Sequence, residues 1–181
     1  AIEAGAAGFS TSFAYPHRGM DGKPVPSRFA APDEVEALFL TAGRTGKGVV
    51  LATAGEQCTY ADMYECQPRI GRPFTYPLFA LANDRHRPQL ELHEEAVARG
   101  VQVWPQVTPR PLTMQFTMDS PFSLNVSPMF GALMDLDRDA RLAAYADPEW
   151  RARATAELAE QPMAPRWETC EISESSRHPE L

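Results

Sequence analysis

Pro32-Asp33-Glu34-Val35-Glu36-Ala37-Leu38-Phe39-Leu40-Thr41-Ala42-Gly43, followed closely by Gly48-Val49-Val50-Leu51-Ala52-Thr53, decides the fold class. Val35, Leu38, Phe39 and Ala42 recur at the i, i+3, i+4, i+7 spacing of one buried helix face. Pro32 suits the first helical position, and Asp33, Glu34 and Glu36 suit the positive end of the helix dipole. Gly43 and Gly46 then supply a stop. The run at residues 48–53 is near-continuously apolar, as a strand buried on both faces should be.

The same alternation extends in both directions. Strand-like runs occupy residues 8–13, 74–81 and 101–107, with Pro77 and Pro105 weakening the hydrogen bonding of the last two. Residues 61–70 read as a helix capped by Thr59 and weakened near its end by Pro68. Residues 88–99 read as another, with Leu92, Ala96 and Val97 as its apolar stripe and Gly100 as terminator. Strand, helix, strand, helix, strand, helix, strand is the rhythm of parallel βαβ units. Ahead of it, residues 1–8 read as the last turn of a helix, its glycine terminator and the start of a strand, an unusual beginning without Met that suggests a cut.

Residues 108–128 break the rhythm. Pro109, Pro111, Pro121 and Pro128 surround Met114, Phe116, Met118, Phe122 and Leu124, which predicts an ordered apolar excursion or lid rather than a regular helix. Helical sequence returns at 129–134 and 137–145. After Asp147-Pro148 a capped helix with Trp150, Ala154 and Leu158 on one side runs to about Glu160. Residues 167–172 are a possible strand, and 173–181 form a polar tail.

Composition narrows the function classes. The chain has 181 residues and is 44% hydrophobic, enough for a real core but short of the roughly 250 residues of a closed eightfold barrel. Its net charge of -7, without a basic stripe, argues against nucleic-acid binding. No run approaches the roughly 20 apolar residues of a membrane span, which argues against a membrane partner. Three cysteines without a Cys-x-x-Cys pair fit a reducing cytoplasm better than a disulfide framework.

In parallel βα architectures, reactive groups gather where strands end and loops lead into helices. Those loops carry Ser12, Tyr15, His17, Arg18 and Asp21, then Glu56 and Cys58, then Asn83, Asp84, Arg85 and His86, then Thr108 and Arg110. Ser12, Tyr15, His17 and Arg18 are the strongest candidates for a substrate-facing rim, with Asn83 and Arg110 behind them. Arg18 and Arg110 could clamp a carboxylate in bidentate fashion or simply solvate the rim. His17 could face substrate or hold a turn. Ser10 and Ser12 share a strand face, but no Gly-x-Ser-x-Gly elbow presents either as a nucleophile. Cys58 lacks an obvious histidine base and reads as a buried structural thiol. His17, His86, His93 and His178 form neither His-x-His nor His-x-x-x-His, so they give no metal site, and His86 and His93 suit a solvated helix face.

Glu3-Ala4-Gly5-Ala6-Ala7-Gly8-Phe9-Ser10-Thr11-Ser12, with Tyr15-Pro16-His17-Arg18 and Asp21-Gly22-Lys23-Pro24-Val25-Pro26, resembles a stretch of the amidohydrolase group that contains the N-acyl-D-amino-acid deacylases. Gly71-Arg72-Pro73-Phe74-Thr75-Tyr76, Gln106-Val107-Thr108-Pro109-Arg110-Pro111-Leu112 and Asp119-Ser120-Pro121-Phe122-Ser123-Leu124-Asn125 extend the likeness. The resemblance implies a partial (β/α)8 TIM-type barrel of the metal-dependent hydrolase kind, about half of the barrel, over residues 1–172. It implies a parent hydrolase that cleaves the amide of an N-acyl amino acid with water activated by zinc or another divalent metal. The metal ligands are not in this segment: the family's upstream His-x-His and downstream aspartate have no counterpart. Ala54-Gly55-Glu56 and Ala82-Asn83-Asp84 stand where better-known deacylases place histidines. The alternative is a non-catalytic amidohydrolase-like domain that binds a small acylated ligand or a partner.

A half-barrel leaves two open parallel edges, to be covered by the rest of the same barrel or by self-association. The isolated chain is therefore expected to be poorly stable or to associate. A sharp, reversible unfolding transition of a monomer, followed by circular dichroism and light scattering, would count against the half-barrel.

Overall fold

The computed structural model describes residues 1–19, 21–78, 84, 86–110, 116–161 and 167–169. They form two compact units, one of Ala1–His17 and Pro24–Arg110, the other of Arg18–Lys23 and Pro111–Leu181.

The first unit is α/β, built on a four-stranded sheet. Its strands are β1 (Gly8–Ser12), β2 (Val49–Thr53), β3 (Phe74–Pro77) and β4 (Val103–Gln106), and its helices are α1 (Pro32–Arg44), α2 (Tyr60–Ile70) and α3 (Arg87–Ala98). The strands lie in the order β1-β2-β3-β4 and every pair is parallel. A short 3-10 turn at Ile2–Ala4 ends in Gly5 at φ 108, so the helix-end reading of the first residues holds locally.

Register shows where the core lies. Phe9 pairs with Val50 and Val50 with Phe74, so these residues share one face, and Ala52 and Tyr76, two residues on, share it too. Phe39 of α1 meets Phe9 and Phe74 edge-on, while Tyr60 and Tyr64 of α2 pack on Tyr76. Helices α1 and α2 therefore cover the same face. On β2, Val50 and Ala52 are buried, but Val49 is exposed and Leu51 and Thr53 are only half-buried. The apolar run at 48–53 is thus buried on one face, where two had been expected.

Two punctuation residues, Gly43 and Pro68, act otherwise than their types suggest, while Pro77 acts as its type does. Helix α1 runs through Gly43, whose missing Cβ would lie 2.3 Å from the Ile70 carbonyl oxygen of α2. Gly43 is there for close helix packing, and the chain turns only after Arg44. Helix α2 carries Pro68 to its end at Ile70, supported by a Thr59–Asp62 capping box and by Gln67, which donates to the Arg72 carbonyl and accepts from the Gln102 amide. Pro77 shortens the β2–β3 ladder to the pairs Val50–Phe74 and Leu51–Thr75. The Pro73 carbonyl accepts from Val50, so alternation turns Pro77 toward β2 as well, where it has no N–H to give. The rest of the expected third strand, residues 79–81, lies outside the described residues.

His93 does not sit on a solvated face. Its Nδ1 is 3.2 Å from the Tyr64 hydroxyl, which is 3.0 Å from the Tyr76 hydroxyl. Burial raises the pKa of both phenols. On α3, Ala96 is buried, Leu92 half-buried and Val97 exposed.

The second unit is helical among its described residues. Helices α4 (Pro128–Leu133), α5 (Arg138–Ala146) and α6 (Pro148–Glu160) enclose Leu124, Phe130, Leu133, Trp150 and Ala154. Ser127, Asp137 and Asp147 cap them, and the Glu157 carboxylate accepts from the Ser127 hydroxyl and the Met129 amide. Trp167–Thr169 is a 3-10 turn rather than a strand start. No helix among the described residues is long and apolar enough to cross a membrane.

The seam between β1 and β2 is tight. A Cβ on Gly55 would lie 1.9 Å from the Phe13 carbonyl oxygen, whereas one on Gly46, at φ +64, would meet nothing within 4 Å. Gly55→Ala should therefore lower stability by about 3 kcal/mol through overpacking. Gly46→Ala should cost only about 1 kcal/mol, through its left-handed backbone. Urea midpoints of the two variants check the ranking, and equal losses would contradict the seam.

Candidate functional site

The end of β1 and the loop beyond it bring together Ser12, Tyr15 and His17. The chain leaves β1 after Ser12, and the His17 amide donates to the Ala14 carbonyl at 3.1 Å, closing a turn over Tyr15-Pro16. That turn swings the imidazole back onto the strand end, where Nδ1 lies 2.5 Å from the Ser12 hydroxyl oxygen. The Val25 amide donates to the His17 carbonyl at 3.3 Å, so the returning chain holds the turn from its other side.

A second short element completes the cluster. The 3-10 turn Pro26–Phe29 sets Ser27 to donate to the Ser12 carbonyl at 2.5 Å and Arg28 to donate to the Tyr15 carbonyl at 2.8 Å. The Arg28 guanidinium also stands 4.7 Å from the centre of the Tyr15 ring, a cation–π arrangement. Burial, with the Arg28 charge adding to it, lowers the pKa of His17, so its neutral form prevails near neutral pH.

Sequence reasoning missed Ser27 and Arg28. They precede the first helix instead of following a strand, and only the fold of the intervening loop returns them to the end of β1. The Ser12–His17 pair left a weak signal, a hydroxyl and an imidazole five residues apart across a proline turn.

Of the other rim candidates, Arg18 and Arg110 are described with partners of their own. Arg18 belongs to the second unit, where its guanidinium donates to the carbonyls of Gly22 at 2.7 Å and Gly131 at 3.2 Å and pairs with Asp135 at 3.2 Å. Its side chain is only 13% exposed. Arg110 is exposed, and its carbonyl accepts from the Thr108 hydroxyl. Asn83 lies outside the described residues. Cys58 and Cys66 are buried, and burial pushes both thiols up to about 12, so they are protonated and unreactive at neutral pH.

An apolar groove of about 270 Å³ flanks β1, lined among others by Phe9, Phe13, Phe29, Val35 and Leu38. Thr11 also lines it. Neighbouring strand residues point to opposite faces, so the groove and the Ser12 hydroxyl lie on opposite sides of β1. Among the described residues no group of three or more His, Cys, Asp or Glu could hold a metal ion. The side chains at the end of β1 thus offer hydrogen bonds, a neutral imidazole and a cation, but not a metal-ligand set.

The lowered pKa of His17 has a sign. As pH falls, the unfolded chain takes up the proton first, so His17 contributes stability above its unfolded pKa of about 6.5 that is lost as pH drops toward the folded value. The stability difference between wild type and His17→Gln should therefore shrink between about pH 8 and about pH 5 in thermal melts. A difference that widens toward acid pH would contradict a neutral His17.

No family model matches this chain, and neither does any curated protein or solved structure.

Proposed function

We propose that the chain is part of a metal-dependent amidohydrolase, a hydrolase of carbon–nitrogen bonds other than peptide bonds, that deacylates an N-acyl amino acid. The end of β1 would form part of its substrate rim. The observation that supports this reading most is the sequential, all-parallel order β1-β2-β3-β4 with α1 and α2 on one face. A doubly wound sheet reverses its strand order at a switch point, whereas a (β/α)8 barrel does not. Half of a barrel also accounts for the apolar groove on the helix side of edge strand β1, where a neighbouring unit of the same barrel would pack.

In this reading the polar cluster stands at the carboxyl end of a barrel strand, where substrate is held. Arg28 carries the positive charge that an N-acyl amino acid's carboxylate requires, Tyr15 offers a flat apolar wall, and Ser12 and His17 offer hydrogen bonds to the amide. In this reading the metal's ligands belong to the rest of the parent barrel, and no step is assigned to it. Ala54-Gly55-Glu56 and Ala82-Asn83-Asp84, which stand where the better-known deacylases place histidines, favour a second reading, a non-catalytic domain that binds an acylated ligand through the cluster.

The natural protein that carries this sequence should release free amino acid from N-acetyl-D-amino acids and lose that activity on chelation. Arg28→Ala should raise KM about tenfold, the loss of roughly 1.4 kcal/mol of binding, with kcat little changed. Saturable binding without hydrolysis would shift the assignment to the binding domain. Neither binding nor hydrolysis would overturn both.

A further inference from the structure

We propose that Ser12 is a covalent acyl acceptor with His17 as its base, giving this chain an acyl-transfer activity on small esters that goes beyond the amidohydrolase reading and does not depend on it. Four observations carry it. The Ser12 hydroxyl oxygen and His17 Nδ1 are 2.5 Å apart, the reach at which an imidazole takes a proton from an attacking hydroxyl. Both residues are half-buried, so the pair is packed yet open to a small molecule. The Ala14 amide donates to the Ser12 hydroxyl oxygen at 3.3 Å, and Ser27 holds the Ser12 carbonyl, so backbone and side chain of the nucleophile are both restrained. Arg28, fixed by the Tyr15 carbonyl and ring, brings a positive charge to the cluster.

Among the described residues, the other nucleophile candidates considered lack this combination. The Cys58 and Cys66 thiols are buried and held protonated. The Tyr64 hydroxyl also reaches a histidine, but it is buried and bonded to Tyr76. Ser27 points its proton at a carbonyl.

The chemistry balances with water as the only co-reactant. With the proton of neutral His17 on Nε2, Nδ1 accepts the Ser12 O–H. The hydroxyl oxygen attacks the carbonyl carbon of the ester, a carbon–oxygen bond forms, and the proton passes to Nδ1. The negative charge developing on the carbonyl oxygen is favoured by the nearby Arg28 cation. The intermediate collapses, the bond to the leaving oxygen breaks, and that oxygen takes the proton from His17. Water, with His17 again as base, then releases the carboxylic acid and restores the Ser12 hydroxyl. The lowered pKa of His17 keeps the base unprotonated at neutral pH.

The test is to treat the purified 181-residue chain with p-nitrophenyl acetate and, separately, with a fluorophosphonate, and to map the modified residue by mass spectrometry. One label on Ser12 is expected, with a rate that rises through a midpoint below the ordinary histidine value. It should be lost in Ser12→Ala and slowed at least about 100-fold in His17→Gln, the usual scale of general-base help. Should Ser12→Ala fail to fold by circular dichroism, Ser12→Cys supplies the second arm: iodoacetamide should alkylate it faster with His17 present than with Gln in its place. Labelling confined to Lys23, Lys47 or the amino terminus, or a Ser12 label whose rate ignores His17, would overturn the proposal. Ester probes read Ser12 alone, so failure here leaves amide hydrolysis by the natural protein untouched, and the reverse also holds.

Discussion

The close approach of β1 and β2 is the constraint on which the first unit depends. A Cβ on Gly8 would lie 1.9 Å from the Val49 carbonyl oxygen, and one on Gly55 would lie as close to the Phe13 carbonyl oxygen. Any side chain at either place would push the strands apart. With both glycines in place the ladder runs unbroken from Gly8–Val49 to Ser12–Thr53, and the Phe13 amide still donates to the Thr53 carbonyl at 2.9 Å. The register puts Phe9 on the helix-covered face and sends the chain out of the sheet just after Ser12. The turn that follows returns His17 to the strand end. The polar cluster is thus a consequence of the seam.

Much of this architecture was legible because it rests on periodicity. Apolar spacing located all three helices of the first unit within two residues at their starts, and short apolar runs located the four strands. Asp147 and Thr59 announced helix starts because a short polar side chain ahead of an apolar stripe has an amide to satisfy. What misled was residue type without its neighbour. Gly43 looks like a stop until Ile70 is seen against it, and Pro68 looks disruptive until Gln67 is seen bracing the chain around it. A continuous apolar run cannot say whether one face or two will be covered, since Val49 is as apolar as Val50 but stays exposed.

The site was half legible. Ser12, Tyr15 and His17 follow a strand directly, and strand ends are where a βα fold gathers polar groups. Arg18 follows them in sequence, yet its three donor contacts all go to its own unit. Ser27 and Arg28 could not be placed, because a 3-10 turn between two prolines and a helix has no periodicity to report its direction. Arg28 nonetheless gives the cluster its charge, and together with burial it keeps His17 neutral. Under the proposed function, a neutral imidazole against a hydroxyl, with a cation beside them, is what an acylated, negatively charged small molecule would meet.

The most direct measurement is a titration of the isotopically labelled chain with an N-acetylated amino acid, followed residue by residue through backbone amide and arginine side-chain NMR signals. Saturable shifts concentrated at residues 12–17 and at the Arg28 guanidinium are the expected result. Shifts centred on another part of the chain, with those signals unmoved, would contradict a substrate rim at the end of β1.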